Sequence, residues 1–287
     1  MKKTLALLVP ISLLAASSIT HAQTVIPDSA FYIGVGASFN SVDFNSQSLE
    51  ATGTSDAYNK TTGTFLSSGN AGGPPVNLGM GSQTGFAPVA QAGYFKHFQD
   101  SKWLWGAKFS YNCLDSNSTK ENFLIPQYGS FGTTAFTGNA TVRSFKTGVA
   151  NQFSFLPYIG HSFDSSFVYL GAGPTISKIN TKIDSLIGFA DINGNRTDVS
   201  GTPQNFSSSQ WVVGGALMLG ATYFLDASWF VDANYNISMT PSQTANYSST
   251  FNNTNGETNK NYTGSLTGSS SGKTTTQTVS IAINRVF

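Results

Sequence analysis

The reactive side chains in this sequence are few: three His, one Cys and 14 acidic residues among 287. A lone cysteine, Cys113, excludes a disulfide framework and a cysteine-rich zinc site. It reads instead as a small apolar residue on an outward face. His161-Ser162-Phe163-Asp164 contains the residue types of a nucleophile, base and carboxylate set. Neighbours along a strand point to opposite faces, so this adjacency separates the groups. The other histidine worth naming, His97, is also expected beside a tight turn, and no Gly-x-Ser-x-Gly elbow occurs. Asp191 to Asp198 spaces oxygen ligands loosely as a calcium loop does. However, Arg196 stands where the sixth-position glycine is needed, and no closing Glu follows. A tight turn at Asn193-Gly194 explains the same residues. Gly34-Val35-Gly36 lacks the third glycine and following helix of a nucleotide loop, and sequons such as Asn261-Tyr262-Thr263 are by-products of Asn- and Thr-rich composition. No enzyme activity, metal or cofactor is expected.

Two charges do call for an explanation. Lys108 and Asp232 each fall in the middle of an alternating segment, on its polar side. Trp103, Trp105, Ala107, Phe109 and Tyr111 form one face of the first segment, opposite Gly106, Lys108, Ser110 and Asn112. Trp229, Val231, Ala233, Tyr235 and Ile237 do the same in the second, opposite Asp232, Asn234, Asn236 and Ser238. A period of two with an apolar and a polar face is the signature of a strand. An unpaired buried charge is costly, so each of the two is expected to have a partner, forming either a structural plug or a gate in a narrow pore.

The composition limits where such strands can sit. Charged residues are 10% of the chain, against about a quarter in ordinary soluble domains, while 13% is aromatic and 29 residues are Gly. A formal charge of +1 is too small for phosphate-neutralising nucleic-acid binding. Lys2 and Lys3, the apolar run Leu5 to Ala16, and Thr20-His21-Ala22 have the layout of a secretory signal peptide, predicting residues 1–22 as a leader and 23–287 as the mature chain. No other apolar run approaches the roughly 20 residues of a membrane helix.

The mature chain alternates short aromatic blocks with long polar segments. Phe31 to Phe39 is the first strand and Val279 to Phe287 the last. Between them lie three hairpins: Pro88 to Phe98 with Trp103 to Tyr111, Phe153 to Phe163 with Phe167 to Ile176, and Trp211 to Phe224 with Trp229 to Ile237. Their breaks, at Gln99 to Lys102, Asp164 to Ser166 and Asp226 to Ser228, have hairpin length. This gives an all-β, eight-stranded antiparallel up-and-down transmembrane β-barrel with short periplasmic turns and long extracellular loops. Asn122 to Lys146 contains enough apolar residues for a further hairpin and a ten-stranded version, but lacks sustained alternation and reads as strand extension and loop. A soluble β-sandwich alternates equally well. The aromatics decide against it: Phe31, Tyr32, Phe98, Trp103, Trp105, Phe163, Phe167, Tyr223, Phe224, Trp229, Phe230 and Phe287 gather at the short-turn ends, as an interfacial girdle would. In the long segments Phe131, Phe136, Tyr247 and Tyr262 are candidate surface contacts.

This pattern resembles the small outer-membrane β-barrel proteins of Gram-negative bacteria, the OmpA-transmembrane and opacity-protein group of surface antigens. Tyr169-Leu170-Gly171-Ala172-Gly173 is similar to strands of that group, and Val279, Ile281, Ile283 and Phe287 resemble the C-terminal signal read by the barrel assembly machinery. Arg285 departs from that signal, where an aromatic or apolar residue is usual. The resemblance implies an outer-membrane location and contact with outer-membrane lipid and the assembly machinery. It also implies a non-enzymatic structural or surface-interaction role, with the loops available to a surface ligand or host component. The alternative is a small porin-like channel for an apolar or small polar solute. A closed sheet resists detergent because all its backbone groups pair internally. The folded protein should therefore migrate differently on a gel before and after boiling, and identical migration of inserted samples would contradict closure.

Overall fold

Residues that alternate in character make strands here, and the strands run well past the blocks that define them. The computed structural model describes residues 26–192, 195–255 and 259–287. The candidate leader, residues 1–22, and the Asn193-Gly194 turn lie outside the described residues. In chain order the strands are β1 (Ser29–Asp43), β2 (Ser48–Asn59), β3 (Phe65–Gly72), β4 (Val76–Asn77), β5 (Ser82–His97), β6 (Trp103–Phe131) and β7 (Thr134–Ser162). They continue as β8 (Ser166–Ile192), β9 (Asn195–Asp198), β10 (Gln204–Phe224), β11 (Trp229–Met239), β12 (Gln243–Asn255), β13 (Lys260–Gly272) and β14 (Thr275–Val286).

Eight of these strands close a ring. β1 pairs β5, β5 pairs β6, and the ladder passes through β7, β8, β10 and β11 to β14. β14 then pairs β1 from Val286 opposite Tyr32 to Thr275 opposite Asp43, so the sheet has no edge at this level. Every pairing is antiparallel, and the eight strands contain the eight blocks read from the sequence except for Phe98, Phe163 and Phe287, each one residue past a strand end. Asn122 to Lys146 extends β6 and β7 and adds no strand to the ring.

The outward face is an apolar band. Phe31, Ile33 and Val35 of β1, Phe109 of β6, Leu170 of β8, Leu217 and Leu219 of β10 and Ile281 of β14 are all exposed. Water would not tolerate a contiguous apolar belt of this extent, and hydrocarbon requires one. Trp103, Trp105, Phe163, Tyr223, Trp229 and Phe287 are exposed at the short-turn rim as a girdle. Four aromatics assigned to that girdle from the sequence belong elsewhere: Tyr32, Phe167, Phe224 and Phe230 are buried inside the barrel. Three of them, Tyr32, Phe224 and Phe230, directly adjoin girdle residues in the chain, and period two sends such neighbours to opposite faces.

The long polar segments are strand too. Beyond the membrane level β6, β7, β8 and β10 continue upward, and β12, β13, β2 and β3 join them in the order β12-β13-β2-β3-β6. Together they enclose a second apolar core containing Phe44, Leu49, Ile125, Phe145, Ile183 and Leu186. Phe136, Tyr247 and Tyr262, read from the sequence as surface contacts, are buried in this half, and Phe131 is partly covered, its ring 6.0 Å from that of Tyr262. Serine- and threonine-rich strands supply the ladder, and scattered aliphatic and aromatic side chains fill the space inside it.

The register fixes which side of β11 faces lipid. Asp232 is buried, Ala233 is exposed, and Asn234 turns inward to donate to Asp232 at 3.1 Å. Ala233→Arg near the mid-plane should destabilise the barrel by about 2–4 kcal/mol. Asn234→Ala should cost about 1 kcal/mol. Denaturant titration of both variants folded into lipid vesicles measures the contrast, and the reverse order would invert the inside–outside assignment.

Candidate functional site: the barrel lumen

The lumen is filled in layers. Nearest the short turns lies a packed aromatic layer. Tyr32 meets Phe230 edge-on at 5.1 Å between ring centres, Phe224 lies 5.0 Å from Phe230, Phe95 lies 5.4 Å from Phe167, and Tyr158 lies 4.9 Å from Tyr169. Glycines on facing strands make room for these rings. A Cβ at Gly93 would collide with the Tyr32 hydroxyl, and one at Gly220 with the Tyr169 ring.

The two charges singled out in the sequence meet above this layer. Lys108 of β6 and Asp232 of β11 lie across the ring from each other, and their Nζ and Oδ2 atoms are 2.5 Å apart, both side chains almost fully buried. Tyr169 of β8 bridges them: Lys108 Nζ donates to its hydroxyl at 2.5 Å, and that hydroxyl donates to Asp232 Oδ1 at 2.6 Å. Gln91 of β5 donates to Asp232 Oδ2 at 3.1 Å and to Asn284 Oδ1 of β14 at 2.7 Å. With Asn234, the carboxylate accepts from four side chains on four strands. Lys108 Nζ also sits 4.7 Å from the Tyr169 ring centre, a cation–π contact. Charge, hydrogen bonds and packing together span the lumen from five strands.

A neutral polar layer follows. Asn40 donates to Ser38 Oγ at 2.9 Å and accepts from Thr278 Oγ1 at 2.8 Å. Gln152 donates to Ser177 Oγ at 3.0 Å and Ser238 Oγ at 2.9 Å. Ser154 Oγ, Thr175 Oγ1 and Asn236 Oδ1 are buried without a protein partner, and bridging water suits such groups. The extracellular apolar core closes the top. Gln91 and Asn284 were not singled out in the sequence, and Tyr169 was read only as part of a family-like strand, with no role in the lumen. An inward Tyr or Gln on an alternating strand gives no sign of its partner until the ring is closed.

The residues that could suggest catalysis lie elsewhere. His97 Nε2 is 2.8 Å from Ser162 Oγ at the short-turn rim, bringing together residues from two strands. Ser162 Oγ has the Lys102 carbonyl at 2.9 Å as a competing acceptor, and His97 Nδ1 faces the Asp28 backbone carbonyl at 3.2 Å, so the group that orients the ring is not a carboxylate. The adjacent amides of His97, Phe98, Ser162 and Phe163 all donate to backbone carbonyls, leaving none of them to hold an oxyanion. His161 packs its ring between Trp103 and Phe163. Arg196 stacks on Phe189, 4.4 Å from its ring centre. Cys113 is exposed on the outward face. Val279, Ile281, Ile283 and Phe287 likewise face outward.

A closed eight-stranded ring, an apolar belt and a filled lumen define a small transmembrane β-barrel, the architecture of Gram-negative outer membranes. Compared by sequence, the chain matches no family model and no curated protein. Among solved structures it is similar to Neisserial surface protein A, at 13% identity over 90% of this chain and 97% of that one, with a TM-score of 0.38. It is also similar to the outer membrane protein OprG from Pseudomonas aeruginosa (13% identity, 93% and 99% covered, TM-score 0.39). A third is Ail, the attachment invasion locus protein of Yersinia pestis (10% identity, 88% and 99% covered, TM-score 0.29). Likeness at this level concerns the fold alone.

Removing one partner of a buried pair leaves an uncompensated charge, which costs about 3–5 kcal/mol. Asp232→Ala should therefore destabilise the barrel by about that amount. Replacing both charges, Lys108→Met with Asp232→Leu, should recover most of the loss. Urea unfolding from vesicles compares the two, and a single variant no worse than the double would show that the charges are not a coupled brace.

Proposed function

We propose that this protein is a non-enzymatic outer-membrane β-barrel with a plugged lumen, acting structurally or as a surface-interaction protein through its extracellular half. The observation that carries the reading is the lumen itself. Aromatic rings, the Lys108–Asp232–Tyr169 brace, a polar layer and an apolar core occupy successive levels along the axis. An eight-stranded barrel is just wide enough for side chains to fill. What reaches the outside is a broad sheet, whose β3 tip exposes Phe65 and Leu66 and whose β6 exposes Leu124 and Tyr128. Large apolar side chains outside the lipid belt are suited to contact with a partner.

In this reading residues 1–22 direct export and are removed, and residues 23–287 form the barrel. Val279, Ile281, Ile283 and Phe287 present the last strand to the assembly machinery before they face lipid. Outer-membrane lipid is the permanent partner, and a surface ligand or host component would meet the extracellular sheet.

Conductance in a planar bilayer tests the plug. The refolded protein should give no steady current steps. Reproducible ohmic steps, lost on boiling, would overturn the plug and favour a small channel for an apolar or small polar solute.

A further inference from the structure

The outward face of β7 and β8 changes character over one step. On β8 the last exposed large apolar side chain is Ile176, and Lys178 follows two residues on, on the same face. Lys178 is in register with Asn151 of β7 and Trp211 of β10, and its ammonium lies 5.9 Å from the Trp211 ring centre. Phe153 and Trp211 are the last exposed aromatics on their strands, so Lys178 stands where hydrocarbon gives way to headgroups. Four residues further along β8, about 13 Å at the rise of a strand, Lys182 lies directly opposite Lys146 of β7. Both are exposed, and Arg143 is exposed beyond them.

Like charges placed directly opposite destabilise a sheet, and the fold gives no reason for this pair. Two acids share the face. Asp184 lies 2.8 Å from Lys182 and accepts from Ser144 at 3.0 Å; the Lys182 hydrogen bond holds its carboxyl below the usual carboxylate range. Glu121 pairs in register with Ser144. Lys146 has no ion pair among the described residues. The chain as a whole has only 15 basic residues, and four of them fall on this one face. Across the ring β1 carries Asp43 beyond its outward Phe39.

We infer that the β7–β8 face above the membrane binds phosphorylated glycolipid headgroups of the outer leaflet, with Lys178 at the first phosphate level and Lys146, Lys182 and Arg143 engaging phosphates further out. The lipid source follows from continuity, since the cations stand on the same strands and the same outward face as the lipid-facing band. Asn180, which accepts from Ser209 at 2.8 Å, adds amide groups between the two lysine levels. This inference rests on the outer-membrane reading above.

Native mass spectrometry of the folded protein in neutral micelles, titrated with lipids, tests it. The probes are diphosphoryl lipid A, monophosphoryl lipid A and phosphatidylcholine. Diphosphoryl lipid A should bind best, and the exposed double substitution Lys146→Gln with Lys182→Gln should weaken it about tenfold. Lys60→Gln, at the far β2 tip, should leave it unchanged. Inorganic pyrophosphate should fail to displace the lipid. Equal binding by wild type and the double variant would overturn the inference, as would displacement by pyrophosphate, which would indicate a free-anion site. Heat-modifiable migration checks each protein: a folded barrel without lipid preference sinks this inference alone, whereas a wild-type chain that never shows the shift sinks the barrel reading beneath it.

Discussion

Backbone groups inside a bilayer have no water to bond, so each must find a partner in the protein, and for strands only a closed ring supplies them all. Everything else in this molecule follows from that closure. It fixes the pairing of the first and last strands, β1 with β14, although they stand more than 200 residues apart. It forces the alternate side chains of all eight strands to divide between hydrocarbon and a narrow interior. The interior then has to be filled, because side chains from opposite walls are within reach of each other.

The way it is filled explains why charge survives there at all. A lone lysine or aspartate in such a space would carry a desolvation cost of several kcal/mol. Lys108 and Asp232 offset that cost mutually, and the remaining valences of the carboxylate are taken by Tyr169, Gln91 and Asn234. The ring beneath and the polar layer above keep bulk water from competing. The brace ties β5, β6, β8 and β11 together across the axis, where the ladders alone join only neighbours.

Much of this was legible in the sequence because period two is a strong signal when one face must be apolar. All eight ring strands, their short turns and the two charges across the lumen could be read from residue type and spacing. The aromatic positions were legible only in part. Phe31 and Tyr32 look alike in a composition-based girdle, yet one faces lipid and the other packs on Phe230. The extracellular strands were not legible. β12 and β13 consist largely of Ser, Thr, Asn and Gly, residues that suit turns, and their pairing is set by partners far away in the chain, such as Leu266 of β13 opposite Gly53 of β2. Tyr247 and Tyr262 looked like surface aromatics because nothing local marks the face they share.

The two halves also differ in how strictly they must close. The β10–β11 ladder runs without a break to Gly215 opposite Met239. Pro241, which has no amide hydrogen, follows, and beyond it β12 rises beside β10 without joining it; among the described residues β12 pairs with β13 alone. The two strands touch through side chains instead: Ser249 Oγ donates to Gln204 Oε1 at 2.8 Å, and Phe206 packs 5.6 Å from Tyr247, whose hydroxyl reaches past β10 to Thr181 Oγ1 of β8 at 2.6 Å. Those contacts keep nearly the register that the ladder below would extend. A seam of this kind in hydrocarbon would strand two rows of amide groups at several kcal/mol per group. Above the headgroups, water can satisfy both edges. The seam begins at Pro241, two residues past the exposed Met239 that ends the apolar face of β11, so the ring opens only where the solvent no longer enforces closure.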